Sequence, residues 1–156
     1  MPDPIDIDDY DHLRASFDGM PIVKTLGLSI ISIGPGTTEM EMAIHDGLCF
    51  RPGQVQATPL FAIADFAALG AAATLLPAGW TNTTVDTTLK LIRPAHGTTL
   101  RARGWVVRAG RLLSVCAADV FAIDGDVTAL CATLLATAHN VEPKVKRRRA
   151  IGAGHH

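Results

Sequence analysis

Between Arg51 and Asp86 the chain carries a single ionisable side chain, Asp65, set inside the apolar run LFAIADFAALGAAATLL. Thr58-Pro59 precedes the run and Pro77-Ala78-Gly79 follows it. Thr58 is a good helix N-cap, and Pro59 then falls at the first helical position, where its missing N–H costs nothing. A helix is therefore expected from there to Leu76. A helix that is apolar nearly all round has to be covered on most of its sides. Its acid, its glycine at Gly70 and its many alanines fit a buried core helix better than a membrane span. A lone carboxylate in such a place is costly unless something pairs with it or it gives up its charge. Packing alone seldom justifies that cost, so Asp65 is the first candidate for function.

The flanking sequence supplies the cover. Leu28–Ile33 and Thr37–Ile44 read as strands joined by Gly34-Pro35-Gly36, a hairpin signal. In the second of them Met40, Met42 and Ile44 alternate with Glu39 and Glu41, which leaves one face wet. After the helix, Thr81–Ile92, Thr98–Arg108, Arg111–Ile123 and Thr128–His139 read as four more strands. Ala109-Gly110 and Asp124-Gly125-Asp126 join long alternating runs as antiparallel hairpins do. Upstream, a short amphipathic helix capped by Asp9 or Asp11 runs through Phe17, and a further turn spans Pro21 to Leu26. Residues 45–57 read as an irregular loop containing Arg51-Pro52-Gly53. The order predicts an α+β domain, one long central helix wrapped by a curved antiparallel sheet.

At 156 residues the chain is long enough for one domain with a sizeable core. The expected boundaries are an acidic segment 1–16 that includes the start of the short helix, a single domain 17–140, and a basic flexible tail 141–156. The body between the charged ends is neutral, which argues against a nucleic-acid binder. The three cysteines, Cys49, Cys116 and Cys131, lack CxxC spacing and read as small buried hydrophobes of a reduced, cytoplasmic protein. The acidic N-terminus is unlike a secretory signal, and no membrane association is expected.

The chain has no GxSxG, P-loop, GxGxxG or HExxH pattern. His45-Asp46 is the one close pair of potential metal ligands and lacks a partner at useful spacing, so no metal is expected. His12 reads as an exposed helix residue and His96 as a turn residue. That leaves the loop and helix from Phe50 to Asp65. A loop that ends at a helix N-terminus offers free N–H groups and the positive end of the helix dipole, which can hold a developing oxyanion. Asp65 lies too deep for the dipole to dominate, so desolvation should raise its pKa. A carboxylate there suits a general base acting through water, or a nucleophile toward a thioester carbonyl. The alternative is a structural acid that caps something local or pairs with Arg51 or Arg93 across a dimer contact.

At these residues the sequence resembles the hotdog-fold acyl-CoA thioesterases, in the branch related to phenylacetic-acid-degradation thioesterases. The likeness spans most of 17–138. It rests on Phe17, Pro21-Ile-Val-Lys-Thr-Leu-Gly27, Leu60-Phe-Ala-Ile-Ala-Asp65, Thr84-Val-Asp-Thr-Thr-Leu, Ile92-Arg-Pro-Ala95, Arg108-Ala-Gly-Arg111 and Val120-Phe-Ala-Ile-Asp-Gly125. It implies subunits that pair their sheets edge to edge in a homodimer or homotetramer, with active sites at the interface. The family's helix acid falls on Asp65, and Thr84 matches a Ser or Thr that assists from the partner subunit. Where the family usually has His-Gly-Gly, this chain has Gln56-Ala57-Thr58, and an upstream Asn or Gln would fall near Phe50. The resemblance implies backbone N–H groups of Ala57 or Thr58 as oxyanion donors, with Gln56 and Gln54 offering amides. Phe50, Gly53, Gln54, Phe61, Arg93 and Arg111 are the candidate substrate-binding residues. Coenzyme A would enter only as part of the substrate. A non-catalytic acyl-CoA-binding or scaffold protein on the same fold is the alternative function. A dehydratase would need a His beside the acid, and His45 is the nearest.

Overall fold

The computed structural model describes residues 10–145. The acidic residues 1–9 and the basic residues 146–156, on which the expected flexible ends fall, lie outside the described residues.

Helix α3, Ala57–Ala73, lies across a six-stranded antiparallel sheet. The strands are β1 (Leu28–Gly34), β2 (Thr37–Ala43), β5 (Thr81–Leu91), β6 (Thr99–Ala109), β7 (Leu113–Asp124) and β8 (Val127–Val141), in the order β1-β2-β6-β7-β8-β5. The two segments flanking α3 in sequence thus belong to opposite sides of the sheet. Among them, β5 forms one free edge. This is the hotdog arrangement that the resemblance implies. Two short helices, α1 (Asp11–Asp18) and α2 (Pro21–Leu26), precede β1.

The alanines explain the close seating of the helix. Ile63, Ala64, Ala67, Ala68 and Ala71 are fully buried, facing Ala102, Cys116, Ala118, Ala136 and Ala138 from the sheet. Gly104 on β6 comes closest. A Cβ there would lie 2.1 Å from the Ala67 carbonyl oxygen, so only glycine lets the backbones meet. On the same part of the sheet the Thr38 hydroxyl donates to that carbonyl at 2.7 Å. The wet face expected on β2 is present. Glu39 pairs with Arg103 and Glu41 with Arg101, each directly across the β2–β6 ladder.

Four local expectations change. The N-cap of α3 is Gln56, not Thr58, and its side-chain oxygen accepts from the Thr58 N–H. The helix then begins at Ala57, which moves Pro59 inside the first turn, where its N–H would still lack an intrahelical acceptor. At the other end the helix stops at Ala73, because the Thr74 hydroxyl donates to the Ala71 carbonyl and accepts from Gly36 N–H, both at 2.7 Å. Residues 45–57 are not irregular throughout: β3 (Cys49–Arg51) and β4 (Gln54–Val55) form a small hairpin. Its turn is Pro52-Gly53, with Gly53 at φ 76°, the left-handed value that a Pro-Gly type II turn requires. Finally, Asp11 is the first residue of α1 rather than its cap, and Tyr10 precedes it with no side-chain cap bond.

Candidate active site

Asp65 sits two turns into α3, on the stripe of the helix that the sheet does not cover. It is half-buried rather than enclosed. The Thr84 hydroxyl on β5 donates to Asp65 Oδ1 at 2.9 Å. Strand β5 bulges between Thr84 and Asp86 at this point, and Thr84 turns inward toward the helix. Burial pushes the Asp65 carboxyl above its ordinary value of 3.8, and the Thr84 hydrogen bond pulls part of the way back. Across from it on β7, the Cys116 thiol is fully buried and pushed up to about 11 by burial, with the Asp65 charge adding to the shift. Cys116 is thus a neutral packing group. All three cysteines are free thiols.

The resemblance places the assisting hydroxyl on the partner subunit, yet Thr84 reaches Asp65 within one chain. Neither Arg51 nor Arg93 pairs with Asp65 in the chain. Arg51 Nε instead donates to Gln54 Oε1 at 2.9 Å.

The other candidates gather elsewhere. Phe50, Gln54, Gln56, Ala57 and Arg93 line an open groove of about 640 Å³ at the N-terminus of α3, together with Arg51, Leu91 and Ile92. Gly53 makes the turn of the hairpin that forms one wall. Within this groove the donors expected for an oxyanion are reduced to one. Thr58 N–H is occupied by Gln56, whose side-chain oxygen is committed to that cap, while Ala57 N–H opens the helix and has no intrahelical acceptor. Phe50 is 60% exposed, with Arg51 stacked over its ring at 5.2 Å.

The remaining two are not brought to either place. Phe61 is exposed on the outer stripe of α3, and Arg111 is exposed near Pro77 and Trp80, beside the β6–β7 turn. Phe66 packs edge-on against Phe17 at 5.5 Å and lines a second cavity, beside Asp65. Sequence reasoning did not single out Asn82, Trp80 or Met20, which also line that cavity. Asn82 was within reach of the period-two rule, since it stands two residues before Thr84 on the same strand face. Among the described residues no grouping of side chains could hold a metal ion, and no helix is long and apolar enough to cross a membrane.

The thioesterase superfamily model matches residues 59–129, from the first turn of α3 to the start of β8. A thioesterase family protein from Silicibacter pomeroyi is similar over 85% of this chain and 98% of its own, with 28% identity and a TM-score of 0.83. A phenylacetic acid degradation-related protein from Ralstonia eutropha JMP134 covers 80% of this chain and 96% of its own, at 28% identity and a TM-score of 0.69. The PaaI protein of the Escherichia coli phenylacetic acid degradation operon shares the fold at 20% identity, with a TM-score of 0.75 over 87% of this chain and 95% of its own. No functionally curated protein matches the chain. The segment from α3 to the start of β8 is thus similar to the thioesterase superfamily, and the fold is the hotdog fold of these structures.

Proposed function

We propose that the protein is an acyl-CoA thioesterase in which Asp65 is the general base. The observation that carries this reading is the Asp65–Thr84 pair. The hydroxyl fixes one carboxylate oxygen, leaving the other to take a proton from water. The water oxygen then bonds to the thioester carbon, the C–S bond breaks, and the CoA sulfur leaves with the proton. A half-buried carboxylate with a raised pKa is a stronger base than an exposed one. Direct attack by Asp65 on the carbonyl is the variant of the same chemistry. Coenzyme A arrives with the substrate, so no further cofactor is required.

Ala57 and Asp65 are eight residues apart on one helix, about 12 Å along its axis at 1.5 Å per residue. One carbonyl group cannot lie within hydrogen-bond reach of both. The reading therefore takes the Ala57 N–H from one subunit and Asp65 from the other, in a homodimer joined along β5. Support for such a partner comes from the free edge of β5, where Val85 is 61% and Leu91 56% exposed, and from exposed Phe61 on the open stripe of α3. The groove beside Ala57, with the guanidinium of Arg93 and the Gln54 amide, would receive the CoA portion.

A non-catalytic acyl-CoA-binding protein is the second reading, favoured by the apolar Phe50 in the groove and by the Gln56 side-chain oxygen being engaged in the helix cap. The dehydratase reading gains no support: His45 is exposed, and its Nδ1 accepts from Gly47 N–H at 3.2 Å. Release of free CoA thiol from a panel of acyl-CoA esters decides between the first two. Turnover is expected; saturable binding with no thiol released would select the binding protein.

A further inference from the structure

Among the described residues, two side-chain hydrogen bonds join strand β5 to α3. Thr84 donates to Asp65 Oδ1 at 2.9 Å, and Asn82 Nδ2 donates to the Leu69 carbonyl at 3.0 Å. The two are spaced alike on both elements. Leu69 follows Asp65 by four residues, about 6 Å of helix rise, and Asn82 precedes Thr84 by two, about 6.7 Å of strand. The chain directions are opposed, so the bonds form two successive rungs between a helix and a strand.

The helix does not require the second rung. In a regular helix the Leu69 carbonyl already accepts from the Ala73 N–H, and its other lone pair needs no partner. Asparagine is also disfavoured within strands. The strand is what gains. β5 is an edge paired with β8 alone, and its ladder is interrupted by the bulge beside Thr84. A half-open cavity lined by Phe66, Leu69, Trp80 and Asn82 lies along the same seam, so side chains do not fill the space there. Elsewhere the sheet grips α3 by close backbone approach at Gly104 and by the Thr38 hydroxyl. A single tether at Thr84 would let β5 pivot about it. A second tether, one strand repeat away, fixes the tilt.

Resting on the reading of Asp65 as the base, we propose that Asn82 is a positioning residue for the reaction: its bond to the Leu69 carbonyl holds β5 where the Thr84 hydroxyl meets Asp65. No hydrogen bond joins Asn82 to the carboxylate itself. It acts through Thr84, so its effect is no larger than that of losing the Thr84 bond. The bulge serves the same arrangement. Without it, the period of two would carry Asp86 inward after Thr84 and set a second carboxylate beside the first. With it, Asp86 is exposed and Thr87 takes the inward side. No other ionisable group lines the cavity, and Cys116 on β7 stays neutral, so the titration of Asp65 reports on the Thr84 bond.

A cycle of Asn82→Ala, Thr84→Ala and the double variant in the full chain tests this, with Asn82→Leu as a second replacement that keeps the volume. Asn82→Ala should lower kcat about three- to tenfold by misplacing the hydroxyl, with KM changed less than about twofold. The acid limb of kcat should move to higher pH, as it does for Thr84→Ala. In the Thr84→Ala background the same substitution should change kcat by less than about twofold and leave the limb in place, because the group it positions is gone. A residue that merely stabilised the sheet edge would lower Tm and act equally in both backgrounds. Equal factors in the two backgrounds, or an acid limb unmoved by both Asn82→Ala and Asn82→Leu, would overturn the assignment.

A second readout does not depend on turnover. Titration of the Asp65 carboxyl followed by carbon-13 NMR should show a higher midpoint in Asn82→Ala than in wild type, and the same midpoint in the double variant as in Thr84→Ala. If no ester is cleaved while the midpoints behave in this way, the hydrolase reading fails and Asn82 still positions Thr84. A midpoint indifferent to replacement of Asn82 overturns the positioning role, whatever the turnover.

Discussion

Asp65 with Thr84, and the groove from Phe50 to Ala57, lie at different stations of the same helix and are built in different ways. The first joins the interior of a long helix to a strand, and both elements are fixed by extensive packing against the sheet. Its geometry follows from the fold: α3 is seated by Gly104 and its alanines, β5 is paired along its length with β8, and the two side chains meet at 2.9 Å. The second is a two-residue strand, a Pro-Gly turn and a helix cap. Two side-chain oxygens help hold that shape, Gln56 accepting from Thr58 N–H and Gln54 from Arg51. A reacting group belongs on rigid elements that hold it within a fraction of an ångström, whereas a cofactor handle can be received by a loop. On the proposed reading, bond-breaking therefore belongs to the first station and CoA reception, with one backbone donor, to the second.

The largest expected effect breaks the two stations apart between subunits. Ala57→Pro removes the donor N–H at the first helical position, where proline is tolerated, and the extended Gln56 (φ −72°, ψ 157°) suits a following proline. Loss of one oxyanion donor should lower kcat about 10²- to 10³-fold. Co-expression of Ala57→Pro with Asp65→Asn at equal levels should recover about a quarter of wild-type sites, because half the dimers are mixed and each mixed dimer keeps one intact pair. A mixture no more active than the two variants separately would place both groups in one subunit's site and contradict the division.

A smaller effect sharpens the first station. Activity requires the Asp65 carboxylate to be ionised, so it should fall as pH drops through its raised pKa. Thr84→Ala removes the hydrogen bond that pulls this pKa down. The acid limb of kcat should then move to higher pH, with kcat on the plateau reduced about tenfold as the carboxylate loses its fixed orientation. A limb that stays in place, measured from pH 4 upward, would mean another group controls it.

The smallest effect belongs to the second station. Gln56→Ala leaves Thr58 N–H without its cap and should cost about 1 kcal/mol of stability. Thermal unfolding should show a lower Tm while kcat changes by less than threefold. A large fall in kcat with Tm unchanged would return Gln56 to a role in the chemistry.

The architecture was legible because hydrophobic period and turn chemistry agreed along the chain. The strands on both sides of α3 alternate with period two, and Gly34-Pro35-Gly36 and Asp124-Gly125-Asp126 mark their turns. The acid was legible too, because one charge in an apolar helix stands out against its neighbours. The cap was misplaced because Thr-Pro carries the stronger local preference, while Gln56 caps through a side chain that propensity seldom favours. The Pro52-Gly53 hairpin was missed because two paired residues are too short to show a period. The grouping of candidates depended on three-dimensional direction. Arg111 and Phe61 were plausible partners by residue type, and only the faces they occupy separate them from the groove. Trp80 and Met20 reach the cavity from a turn and an inter-helix junction, where no spacing rule operates.

The central claim is that the Asp65 carboxylate performs the proton transfer. Asparagine is close to it in shape and can still accept the Thr84 hydrogen bond, while removing the charge that burial disfavours. The raised pKa means that the folded state holds the Asp65 proton more tightly than the unfolded chain. The charge therefore lowers stability progressively as pH rises above 3.8 toward the folded value, and the full penalty is present beyond it. Asp65→Asn should therefore unfold at neutral pH no earlier than wild type. Its kcat on the best acyl-CoA ester should fall about 10²- to 10⁴-fold, the usual contribution of a positioned general base. Wild-type turnover in a fully folded Asp65→Asn protein would contradict the account.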